Sequence, residues 1–229
     1  MSTYINVARY HLIQKPFYVI MPWAVLTFAF GVVLTIFALT PAGPGGGHVG
    51  SIASIFCILF VAGILSIARS LPFGLSLGFT RRSYYIGTVL LGLSLALVYG
   101  GALTALQAIE RASDGWGLSV YFFRVTYLLN GPWYLTWLTC FVGLTLLFVF
   151  GMWFGLIYRR WNVPGLLAFI AALVTLLLGG ALIATWVSAW ASIGHFFTTL
   201  SASGLTGVLA ALTVALLAGG AATIRRVTV

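Results

Sequence analysis

LLAFIAALVTLLLGGALIATW, residues 166–186, contains no charged side chain and no alternation that would leave one face wet. A bilayer core about 30 Å thick is crossed by about 20 apolar residues in a helix, because every backbone N–H and C=O must be bonded within the segment. Five further stretches meet the same demand, at about 17–40, 51–68, 84–109, 133–157 and 204–224. The composition of the whole chain agrees: 62% of the 229 residues are hydrophobic, 6% are charged, and the mean hydropathy is +1.12. Soluble domains carry about 25% charged residues. A membrane β-barrel would show shorter segments of alternating character, and these runs are apolar on every face. The expected fold class is all-α: one transmembrane domain over residues 1–229, with six transmembrane helices.

Charge sets the expected orientation, since Lys and Arg in short loops are retained on the cytoplasmic side. Of the 11 basic residues, Arg9, Lys15, Arg69, Arg81, Arg82, Arg159, Arg160, Arg225 and Arg226 fall on one side of the six-span pattern. Arg111 and Arg124 fall on the other, with Glu110 and Asp114, the 2 acids of the chain. Both termini are therefore expected in the cytoplasm and the protein in the cell membrane. The net charge of +9 matches anionic headgroups and topology signals and calls for no nucleic acid. The first apolar run is too long for a cleaved signal peptide and reads as a retained helix. Cys57 and Cys140 lie within spans, at no metal or redox spacing, and read as small apolar fillers.

Between the spans the chain is uneven. Residues 1–16 suit a short interfacial helix, with Tyr4, Ile5, Ala8 and Leu12 on one face. Pro41 to His48 is a Gly- and Pro-rich outer turn. The outer segment from Glu110 to Pro132 carries Trp116, Tyr121, Phe122, Phe123 and Tyr127, and is expected as a helix or half-helix resting on the membrane surface. The 187–203 stretch, with Trp190, His195, Phe196 and Phe197, is expected to do the same. The longest inner connection, residues 69–83, holds Leu71, Phe73, Leu75, Leu77 and Phe79, too apolar for a loop that only stays wet. Such a segment marks a docking surface or a dip into the headgroup layer. Arg159 to Pro164 is a short second inner connection.

Absences exclude several function classes. No span contains Asp, Glu or His of the kind that relays protons or holds ions in carriers and pumps. There is no His and carboxylate cluster for a metal, no Ser beside a His or Lys in the bilayer, and no Gly-rich phosphate loop before a helix. The chain is not expected to be an enzyme, and no cofactor is expected on it. Energy for any work would come from a partner.

The run Leu75-Ser76-Leu77-Gly78-Phe79-Thr80-Arg81-Arg82-Ser83-Tyr84-Tyr85-Ile86-Gly87-Thr88 resembles the second-to-third helix junction of type-2 ABC exporter permeases. The likeness is to small actinobacterial permeases that work beside a separate ATPase, and it extends to the expected six-span architecture. It implies that the junction is a coupling helix seated in a cleft of an ABC ATPase subunit that holds ATP and Mg. Leu75, Gly78, Phe79, Thr80, Arg81 and Arg82 would make the contact, and Arg159 and Arg160 would correspond to the short fourth-to-fifth junction. Pro72-Phe73 departs from the pattern and is expected to bend the entry to that helix. The partners implied are the ATPase, a second permease copy or a homologous permease, and the lipid bilayer.

Gly151 and Gly155 share a face of the fourth span and read as close helix packing. Trp and Tyr near the span ends read as interface anchors. Tyr99, Thr104, Gln107, Trp137 and Thr145 are the residues expected to face a translocation path. Two other readings stand beside the exporter: a substrate-capture membrane subunit of a vitamin importer, and a membrane protein that transports nothing.

Overall fold

The structure, a computed structural model, describes residues 16–40, 47–48, 52–123, 132–199 and 201–224. Residues 1–15 of the expected interfacial helix, the turn at 41–46, Arg124, Arg225 and Arg226 lie outside the described residues. A π-helical turn at Pro16–Ile20 leads into α1 (Met21–Leu39). There follow β1 (Gly47–His48), α2 (Ala53–Ala68), α3 (Ser70–Ser76), α4 (Arg81–Ala112), β2 (Val120–Tyr121), α5 (Trp133–Trp186), α6 (Trp190–Thr199) and α7 (Ala202–Thr223). The fold is all-α apart from one pair of two-residue parallel strands, Gly47 opposite Val120 and His48 opposite Tyr121. Among the described residues five helical runs are long and apolar enough to cross a membrane: Tyr18–Leu39, Ala53–Ser76, Arg81–Ala112, Trp133–Trp186 and Ala202–Thr223.

The fourth and fifth expected spans are joined in one helical run. Its 54 residues, if straight, would extend about 80 Å, far beyond a bilayer. The run is broken at Asn162, where φ is 54° and ψ −152°, with Pro164 just beyond. The rings of Phe154 and Phe169 meet edge to face, 5.2 Å between centroids. Residues that far apart in a straight helix would stand about 22 Å apart along its axis. The chain therefore turns back on itself at the break.

The core lies where α2, α4 and the first half of α5 meet. α2 and α5 approach so closely that a side chain added at Gly63 would stand 2.1 Å from the Phe148 carbonyl oxygen, and one at Gly151 2.1 Å from that of Phe60. Small residues at a crossing let backbones touch, and here the seam is within the chain. Leu59, Leu144, Phe148, Met152 and Leu156 fill it, each at most 1% exposed. α7 is tied on by polar bonds: Tyr85 Oη donates to the Leu217 carbonyl at 2.9 Å, Trp153 Nε1 to that of Leu216 at 2.9 Å, and the hydroxyls of Thr139 and Thr206 meet at 2.8 Å. By contrast, no residue from Trp161 to Phe196 is buried.

These contacts convert the charge pattern into geometry. Tyr84 Oη donates to the Ser66 carbonyl at 2.7 Å, and Gly155 packs on Ile64 and Ile67. The end of α2, the start of α4 and the end of the first half of α5 are thus at one end of the bundle. Arg69, Arg81, Arg82, Arg159 and Arg160 gather there, and Glu110, Arg111 and Asp114 are at the other. α4, 32 residues and about 48 Å long, is the rod that joins the two ends.

Candidate functional site

At the basic end, α3 follows α2 after a break at Arg69 alone. Pro72 does not disrupt it, because the first-turn N–H groups of a helix have no acceptor within it. The helix ends in a Schellman motif: Phe79 N–H donates to the Gly74 carbonyl at 3.3 Å and Gly78 N–H to that of Leu75 at 3.0 Å, with Gly78 at φ 86°. Thr80 then caps α4, its Oγ1 accepting from Ser83 N–H at 3.1 Å. The helix of the junction therefore occupies 70–76. Gly78, Phe79 and Thr80 form the turn after it, and Arg81 and Arg82 open the next helix.

Exposure sorts the expected contact residues. Leu75 and Phe79 are half-buried and pack on the bundle core. The large apolar side chains of this segment that face outward are Phe73, 55% exposed, and Leu77, 54% exposed. Phe79, the aromatic among the contact residues the resemblance implies, is turned toward the core because it is the residue that closes the Schellman turn. At the second connection, Arg160 stands over the Trp161 ring at 4.5 Å, and Arg159 keeps its Nε buried without an acceptor among the described residues.

The five expected path residues are divided. Thr104 and Trp137 come together in a groove of about 640 Å³ with Gly101, Ala105, Ala108, Trp133 and Tyr134, where α4 meets the start of α5. Trp137 stacks on Phe141 with centroids 5.8 Å apart. Tyr99, Gln107 and Thr145 are not among the residues that line this groove. Tyr99 donates to the Tyr18 carbonyl and meets Trp23 edge-on, Thr145 donates to the Phe141 carbonyl at 2.8 Å, and Gln107 is 3% exposed. A larger open groove, about 1040 Å³, runs along one face of α1, lined by Trp23, Thr27, Phe28, Gly31 and Thr35 among others.

At the acidic end the expected surface helix over 110–132 is replaced, in its described part, by a tight turn at Gly115–Ser119 and the strand β2. Glu110, which the charge pattern placed only on the outer side, is fully buried. Its Oε2 accepts from Phe122 N–H at 2.8 Å, Phe123 N–H at 2.9 Å and Trp116 Nε1 at 3.1 Å. The signal available in the sequence was a carboxylate followed within a few residues by an aromatic group rich enough to cover it.

Comparison with protein-family models, curated proteins and solved structures finds no match to this chain. Among the described residues no group of three or more His, Cys, Asp or Glu is placed to hold a metal ion.

Proposed function

We propose that the protein is the transmembrane permease subunit of an ATP-driven ABC exporter, working as a dimer and coupled to separate ATPase subunits through the 69–83 segment. The observation that carries this reading is α3. A short helix at the basic end, closed at its C-terminus by the Schellman turn and anchored to the core through Leu71, Leu75 and Phe79, holds Phe73 and Leu77 outward. A loop that only dips into headgroups has no need of such fixing, whereas a docking helix needs a rigid base under its exposed anchors. Arg81 and Arg82, which open the next helix, suit an acidic rim on the partner. The reversal at Asn162 and the gathering of basic residues at one end support six crossings with both termini in the cytoplasm of a cell-membrane protein. The exposed faces of α1 and of residues 163–186 suit a second copy or lipid.

The test is co-purification with an ABC ATPase encoded beside this chain, at equal membrane expression. Truncating a desolvated anchor typically costs about 2 kcal/mol or more, and a rim charge less. Phe73→Ala and Leu77→Ala should therefore each weaken capture at least tenfold, and Arg82→Ala only a few fold. Undiminished capture by the Phe73→Ala, Leu77→Ala double variant would remove the main support for the reading.

A further inference from the structure

We infer that Glu110 is a latch that holds the 115–123 segment closed as a strained lid over the acidic end of the bundle. Three observations converge on it. First, one carboxylate oxygen gathers three N–H donors, two from the backbone of the segment and one from the Trp116 indole, at 2.8, 2.9 and 3.1 Å. Charge-assisted bonds of this kind are about twice as strong as neutral ones, and burial strengthens them further. Second, the chain enters the segment through four consecutive residues of left-handed backbone, Asp114, Gly115, Trp116 and Gly117, at φ 48°, 73°, 60° and 72°. Glycine adopts such a conformation freely and Asp occasionally, but Trp does not, and strain of this kind persists only where surrounding contacts hold it. Third, what is held is an apolar plug. Phe30 of α1 meets Trp116 at 4.9 Å and Phe122 at 5.2 Å between centroids, and Phe122 and Val120 are 0% exposed.

The arrangement stores a bias toward opening, which Glu110 restrains together with the β1–β2 pairing and the aromatic packing on Phe30. When the carboxylate is lost, two backbone donors and an indole are left buried without their acceptor, and relief of the left-handed turn favours swinging the segment outward. Because Glu110 lies on α4, whose first residues are Arg81 and Arg82 at the basic end, a rotation of that helix would pull on the latch directly. The inference stands on the geometry of the acidic end and goes beyond the transport reading, which it neither needs nor tests.

The experiment uses the full chain purified in detergent, with Cys57→Ala and Cys140→Ala as background and Val120→Cys, close in size to the native residue, as reporter. The rate of labelling by a polar maleimide is measured with no partner present. With Glu110 intact the thiol should be protected. Glu110→Ala should speed labelling at least tenfold, and Trp116→Phe, which removes one donor and keeps a ring, a few fold. Gel filtration and a melting curve that match the parent confirm that the helices stay assembled. If Glu110→Ala does not fold, the Trp116→Phe arm decides alone. Labelling unchanged by either substitution in folded protein would show that packing alone closes the segment and would overturn the latch.

Discussion

Gly78 shows how a single residue changes its meaning between sequence and structure. By resemblance it belongs to a contact surface, but a side chain built there meets nothing within 4 Å, and its φ of 86° instead ends α3. Gly78→Ala should therefore cost about 1–2 kcal/mol through the left-handed backbone, with Gly78→Asn milder; melting in detergent without any partner measures it. The opposite case is Gly151, where space and not φ is limiting. Gly151→Val would push into the Phe60 carbonyl, and overpacking typically costs about 1–3 kcal/mol or more. Gly179→Val, with open space around it, should melt like the parent. Both glycines read alike in the sequence, since only the position of the neighbouring helix distinguishes them.

Among the elements, α5 departs most from the sequence pattern. Arg159-Arg160-Trp161-Asn162-Val163-Pro164 reads as a short loop, yet helix continues up to Asn162 and resumes at once beyond it. The whole turn is concentrated in one residue, whose φ 54° and ψ −152° lie near a region open essentially to glycine alone. Asn162→Gly should raise stability by about 1 kcal/mol and Asn162→Ile lower it by about 1–3 kcal/mol, read as shifts of the melting curve. The α3–α4 junction follows the same logic of short, well-capped breaks. Its apolar content was legible in the sequence, but which apolar side chains face out was not. That choice depends on the rotation of a seven-residue helix about its axis, which its attachment to α2 and Tyr84 sets.

At the scale of the whole molecule, the proposed topology of six crossings with inward termini makes a direct prediction: reporters fused before Met1 and after Val229 should both report cytoplasm, and an external signal from either would sink it. If the chain is an ATP-driven permease, transport in cells should survive an uncoupler while ATP is held constant, whereas an ion-driven carrier would stop. The membrane class, the helical fold and the segregation of charge follow from composition and run length alone. They rest on the solvation of each residue by hydrocarbon or water, a property a segment keeps wherever it packs. The burial of Glu110, the inward turn of Phe79 and the outward set of Phe73 and Leu77 depend on contacts between segments distant in the chain. Tertiary structure alone decided these, because a side chain's partner is set by helix rotation and crossing, and neither is encoded in the local run of residues.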